Sequence, residues 1–176
     1  MGARRKQIAT AAIVLAGGLA VILWSTHRPA SENSQSPVET SDALRRDIYP
    51  DGSRAASDLA NALSQAGREN KRVLIDFGGN WCPDCLVLDI YMHEPSNLKV
   101  LQANFVLVYV NIGRYDQNQE LAARFGIPLE KGVPALAVLS PSGDVLYSQR
   151  NGEFEKMSRI DPASVNSFLN AWKPQS

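Results

Sequence analysis

Cysteine is scarce in this chain: its 176 residues hold two, Cys82 and Cys85, both inside "GGNWCPDCLVLD" at 78 to 89. Structural zinc usually takes four N, S or O ligands, and no second C-x-x-C exists to complete such a site. Basic excess is missing as well, since Lys plus Arg and Asp plus Glu both count 18. Four of the bases, Arg4, Arg5, Lys6 and Arg28, fall in the first 28 residues, where there is no acid, which leaves 14 bases against 18 acids for the remainder. A surface that tracks phosphates shows a basic face or stripe, so nucleic acid is set aside as a partner. There is no internal repeat. What is present, 44% hydrophobic and 20% charged residues, describes an ordinary globular chain with enough length for one domain and a core.

The chain opens on a different character. Behind Arg4, Arg5 and Lys6 runs the uncharged stretch "IATAAIVLAGGLAVILW" from Ile8 to Trp24. As a helix it would be roughly 25 Å long at about 1.5 Å per residue, against a hydrocarbon core about 30 Å thick, so Ser25, Thr26 and flanking groups complete the span. The following "STHRPAS" has no A-x-A pattern for signal cleavage and no cysteine for a lipid. Residues 1–26 therefore read as an uncleaved transmembrane signal anchor, with a cleaved signal peptide as the alternative. Both export the rest of the chain, because positive residues stay on the cytoplasmic side. Residues 27–43, beginning "HRPASENSQSPVET", are polar with two prolines and read as a flexible linker. Residues 44–176 form the exported domain, in a compartment where disulfides persist.

Within that domain Leu59, Ala62, Leu63 and Ala66 mark an amphipathic helix ending near Gly67. "RVLIDF" (72–77) and "FVLVYV" (105–110) have the apolar, β-branched texture of buried strands. Between them lie a helix from about Pro83 to His93, a break at Pro95 and a helical piece around Leu98 to Ala103, so the two strands form a parallel crossover. A helix near Gln117 to Phe125, a strand "PALAVLS" (134–140), a turn and a short strand "VLYS" (145–148) follow. Asp161 caps a last helix with Pro162 at its first position. The order predicts an α/β fold, a sheet covered by helices on both faces. "NGEFEKMSRIDP" (151–162) has no clear period and reads as an ordinary loop.

If "VLIDF" is a strand and Pro83 opens a helix, the orphan backbone N–H groups and the positive end of the helix dipole point at the Cys82 sulfur. That favours the thiolate, the attacking species in disulfide exchange, and makes Cys82 the nucleophile with Cys85 as the resolving thiol. A static clip and a metal pair stay open beside that redox reading, although a clip would close a loop too short to restrain much of the unfolded chain. Asp84 acts against the thiolate: at about 7 Å and an effective dielectric of ~20 to 40 its repulsion is on the order of 1 to 2 kcal/mol, which favours a reducing pair. Pro83 and Asp84 thus tune the thiol. Asp76, between apolar neighbours, is a candidate buried base for the Cys85 proton, against the plainer reading of a strand-edge carboxylate facing water. Trp81 shields one side as rim packing. His93 lies about 16 Å along the axis from Cys82 and reads as a surface or packing residue.

"VLIDFGGNWCPDC" resembles the active-site strand and corner of the thioredoxin superfamily, and "GVPALAVLSPSGDVLY" resembles its cis-proline strand and hairpin. The resemblance spans roughly residues 55 to 172 and implies a thioredoxin-like fold with a central mixed sheet. It places cis-Pro134 opposite the cysteines, with Val133 offering backbone groups to a substrate peptide and Trp81 beside it. "LDIYMHEPSNLKVLQANFVLVYVNI" is similar to the exported group that includes the C-terminal domain of the transmembrane thiol:disulfide interchange reductase of bacterial periplasms. The implied activity is thiol-disulfide exchange with protein substrates through a Cys82–Cys85 disulfide, as a reductase rather than an isomerase or oxidase. No cofactor or metal is implied. A membrane electron donor is, with the inner membrane crossed through residues 8–24 and the domain in the periplasm. The alternative is a binding module of the same fold, a copper carrier or folding partner without redox turnover. Three departures stand out: Gly78 replaces a bulky aromatic residue, which opens the floor of the site. Tyr109 replaces a lysine, which removes a charge that would tune Asp76. "LEK" (129–131) lengthens the approach to the proline loop.

Overall fold

A computed structural model describes residues 47–175. The expected anchor at 1–26 and linker at 27–43 lie outside the described residues, and among the described residues no helix is long and apolar enough to cross a membrane. The elements are α1 (Ala55–Glu69), β1 (Arg72–Gly78), α2 (Pro83–Met92), α3 (Pro95–Asn104), β2 (Phe105–Asn111), α4 (Gln119–Arg124), β3 (Ala135–Leu139), β4 (Val145–Ser148) and α5 (Pro162–Trp172).

The four strands stand in the order β2-β1-β3-β4. β1 runs parallel to β2 and antiparallel to β3, and β4 is antiparallel to β3, so the sheet is mixed. Six consecutive buried residues in β1, from Val73 to Gly78, make it a central strand covered on both faces. Its alternate side chains feed separate cores. Val73, Ile75 and Phe77 pack with Leu59, Ala62 and Ala66 of α1, whereas Leu74 joins Leu88 and Met92 of α2 and Val165 and Leu169 of α5.

Two boundaries differ from the sequence expectation for local reasons. α1 runs through Gly67 to Glu69 because Gly67 is solvent-facing, where it costs only about 1 kcal/mol. The stop is Asn70, left-handed at φ 51, whose N–H returns to the Ala66 carbonyl. Pro95 starts α3 rather than breaking the chain before it, since the first helical position has no N–H bond to lose. Asp161 caps α5 as expected, its carboxylate accepting the Ser164 N–H at 2.8 Å.

The 151–162 stretch is not an ordinary surface loop. Phe154 and Met157 are buried in the core beneath α2 and α5, and a short 3-10 turn spans Met157–Arg159. Two apolar anchors without helical or strand spacing leave no periodic signal.

Candidate functional site

The site is assembled where β1 delivers its last residues to α2. Cys82 is the N-cap of α2 in extended conformation, and its sulfur accepts the Cys85 N–H at 3.1 Å. Pro83 holds the first helical position, as read from the sequence. Cys82 and Cys85 form a disulfide. They are unequal in access: Cys82 keeps 4% of its surface and Cys85 none. The first sulfur stands at the N-terminal end of the α2 dipole, and the second is fully enclosed one turn later.

The opposite wall is the turn before β3. The Val133–Pro134 peptide is cis, and the Val133 carbonyl oxygen lies 3.6 Å from the Cys82 sulfur, within reach of the thiol when the pair is reduced. The "LEK" insertion forms a 3-10 turn, Leu129–Lys131, and hands over to Gly132 at φ 104. Only glycine adopts that backbone without strain. Behind the proline, buried Gln149 donates to the Pro134 carbonyl at 3.0 Å and accepts the Leu136 N–H at 3.1 Å, so one amide holds both sides of the turn. Sequence reading missed Gln149, which follows β4 without any motif around it.

Asp76 is fully buried and shares its β1 face with Leu74, the face that looks toward α2. Burial raises its carboxyl to about 7, against the opposing hydrogen bond from Tyr49 and with a further push from the charge of Asp89. Its neighbours in register are Tyr109 on β2 and Leu136 on β3. Oδ2 accepts the Tyr49 hydroxyl at 2.9 Å, while Oδ1 is buried with no hydrogen-bond partner among the described residues. Asp76 is thus a buried carboxyl and not a strand-edge one facing water.

Two family departures acquire a different meaning. Gly78 does not open the site floor, because Tyr49, 2% exposed, arrives from ahead of α1 and occupies it. A Cβ at Gly78 would lie 2.4 Å from the Tyr49 hydroxyl and 2.8 Å from the Cys85 sulfur, closer than real contacts allow. Tyr109 does not simply delete a charge: its hydroxyl donates to Asp89 at 2.5 Å, and its ring meets that of Tyr49 edge-on at 5.4 Å. Tyr49 lies ahead of the region that carries the resemblance, so no motif pointed to it.

Asp84 has a specific partner. Its carboxylate accepts the Met157 N–H at 2.9 Å and so ties the mouth of α2 to the 151–162 loop. Trp81 also exceeds rim packing. Its indole N–H donates to the Gly113 carbonyl, Tyr115 lies against it at 5.6 Å, and the Arg114 guanidinium sits 5.5 Å from its ring. His93 stands apart from the sulfurs, bonded through Nδ1 to the Asp89 carbonyl at 2.8 Å.

Comparison with known proteins agrees with this geometry. A family described as thioredoxin-like matches residues 54–141. A thiol:disulfide interchange protein DsbD from Pseudomonas fluorescens is 26% identical over 122 residues, 68% of this chain and 19% of that protein. Nucleoredoxin-like protein 1 from Mus musculus is 28% identical over 128 residues, 58% of each. The chain thus spans about a fifth of the DsbD protein and little more than half of the nucleoredoxin-like one. A solved structure of a disulphide isomerase from Xylella fastidiosa superposes with a TM-score of 0.68 at 28% identity, covering 72% of this chain and 96% of that one.

Proposed function

Since the chain belongs to the thioredoxin-like family, we propose that it is a thiol-disulfide oxidoreductase working as a protein-disulfide reductase in the periplasm. One observation carries the reading: Cys82 at a helix N-terminus, keeping 4% of its surface where Cys85 keeps none, stands against a cis-proline turn, with a buried, raised carboxyl on the preceding strand.

The chemistry follows from those positions. In the reduced protein the Cys82 thiolate attacks a substrate disulfide, forming a mixed disulfide and releasing one substrate sulfur as thiolate. Cys85 then gives its proton to Asp76 and attacks the Cys82 sulfur. The bond from Cys82 to the substrate breaks, the second substrate sulfur leaves, and the protein holds the Cys82–Cys85 disulfide. Two electrons have passed to the substrate. The Val133 main chain lies beside Cys82 where an extended peptide can pair with it, and Trp81 walls the other side.

The direction of flow rests on Asp84, whose carboxylate sits in the first turn of α2 and opposes a thiolate there. Restoring the dithiol needs a reductant, and a membrane thiol-disulfide electron donor supplies it in this proposal. The apolar run from Ile8 to Trp24 behind Arg4, Arg5 and Lys6 supports an inner-membrane anchor with the domain outside the cytoplasm.

Replacing Cys85 by Ser tests the exchange. Cys82 still attacks but nothing displaces the captured protein, so mixed disulfides that dissolve in dithiothreitol should accumulate. Partner binding without any trapped species would overturn the reading in favour of a binding module. Equilibration with glutathione tests direction. A reduction potential near about −270 mV supports a reductase; one near about −180 mV indicates isomerisation, and one near about −120 mV an oxidase, which would also refute the role given to Asp84.

A further inference from the structure

Tyr49 is held with unusual completeness for a residue outside any element. Its backbone N–H donates to the Asn80 side chain at 2.9 Å, and the same amide donates back to the Tyr49 carbonyl at 2.9 Å. Asn111 donates to the Pro50 carbonyl at 3.0 Å and Asn118 to the Gly52 carbonyl at 2.9 Å. Asn80 lies two residues ahead of Cys82, so the loop that presents the nucleophile also places this tyrosine. The ring is clamped edge-on against Tyr109. Its hydroxyl then has one position, donating to Asp76 Oδ2 at 2.9 Å.

That position adjoins Cys85. The point where a Gly78 Cβ would stand is 2.4 Å from the Tyr49 hydroxyl and 2.8 Å from the Cys85 sulfur, and the two cannot be farther apart than those distances together. One hydroxyl therefore touches the base and neighbours the thiol that the base must deprotonate. A phenol has a single proton to donate, and here it is committed to Oδ2. Among the described residues nothing bonds Oδ1, which is buried.

We infer that Tyr49 is a positioning residue for the resolving half of the exchange: its hydroxyl fixes one oxygen of Asp76 and leaves the other to receive the Cys85 proton. The inference rests on the disulfide-exchange function proposed above. A donor on Oδ2 favours the ionised carboxylate, the form able to accept a proton, while burial opposes it. Among the described residues, Tyr49 reaches Asp76 from ahead of α1, the charge of Asp89 on α2 bears on it, Tyr109 of β2 and apolar Leu136 of β3 flank it in register, and Cys85 of α2 lies next to the Tyr49 hydroxyl. Asp89 acts by like charge, and His93, 3.2 Å from it, moderates that charge when protonated.

The full chain, reduced and freed of reductant, reports the step directly with 5,5′-dithiobis(2-nitrobenzoate). Capping of Cys82 releases one thionitrobenzoate, and displacement of the cap by Cys85 releases a second. In Tyr49→Phe the pH midpoint of the second phase should move up by about one unit, because burial of Asp76 then acts with less opposition. In an Asp76→Asn background the same Tyr49 substitution should leave the second phase unmoved, which a merely structural role would not. Asn80→Ala removes both bonds to the Tyr49 backbone while keeping its hydroxyl and Asp76, and should shift the midpoint in the same direction by less. Should Tyr49→Phe fail to fold, Asn80→Ala carries the test. Two-phase release with wild-type midpoints in the folded variants overturns the role of Tyr49 alone. Release of a single thionitrobenzoate by the unsubstituted chain overturns the exchange reading itself.

Discussion

Asp76→Asn is expected to make the fold more stable at pH 8 while slowing the resolving step by about 10- to 100-fold. The stability effect follows from linkage. The Asp76 carboxyl titrates near 7 in the folded chain against 3.8 as its ordinary value. Between those values the native state holds a proton that the unfolded state has released, so stability falls as pH rises from about 4 to about 7 and is level above. The contribution is complete below pH 4, where both states are protonated. By pH 8 a charged carboxylate must be kept in the core or paid for by proton uptake, a difference on the order of a few kcal/mol. An amide carries no such slope. Part of the gain is offset because its N–H₂ enters the place where Oδ1 has no partner, a loss of about 1 to 3 kcal/mol for an unpaired buried polar group. Denaturant unfolding at pH 5 and pH 8 checks this: the unsubstituted chain should lose stability between the two, and the variant should not. Equal slopes for both proteins would remove Asp76 as the buried titrating group. The kinetic half appears in the second phase of thionitrobenzoate release, with the first phase little changed.

Cys82→Ser should abolish disulfide exchange, with a loss of at least about 10³-fold, because no other sulfur can take its place. Cys85 has no exposed surface, whereas Cys82 keeps 4% of its own and lies 3.6 Å from the Val133 carbonyl oxygen. A serine hydroxyl at the N-cap keeps the helix-terminal hydrogen bond, so the fold should be retained. The two cysteine variants are therefore opposite in outcome. Loss of Cys85 leaves capture without release, whereas loss of Cys82 leaves nothing to trap. Reduction of a protein disulfide followed by turbidity or thiol release distinguishes them. Substantial exchange by Cys82→Ser would mean that Cys85 is the attacking thiol and would reverse the assignment of both residues.

Some of this was legible in the chain itself. A Pro after Cys82 marked the helix start, and a run of β-branched residues marked β1. Those are local signals, set by backbone sterics, N-cap geometry and side-chain period, and the structure bears them out. One reading failed: Gly78 as an open floor was judged against a family position, whereas the residue that fills that floor comes from a remote segment. Tyr49 is 29 residues ahead of Gly78 and belongs to no periodic element. The 151–162 stretch was judged irregular, and it is, yet its Met157 N–H reaches Asp84 across 73 residues.

The amino-acid sequence by itself determined the parts whose physics is short-ranged: the order of strands and helices along the chain, a cysteine at a helix start, and an acid on the strand before it. Tertiary structure alone decided what surrounds them. A buried carboxyl is defined by the groups that do and do not reach its oxygens, and here those are a tyrosine from ahead of the first helix and an empty side at Oδ1. Desolvation and hydrogen bonding depend on distances between residues far apart in the chain, and only the packed sheet and its helices bring those distances into range.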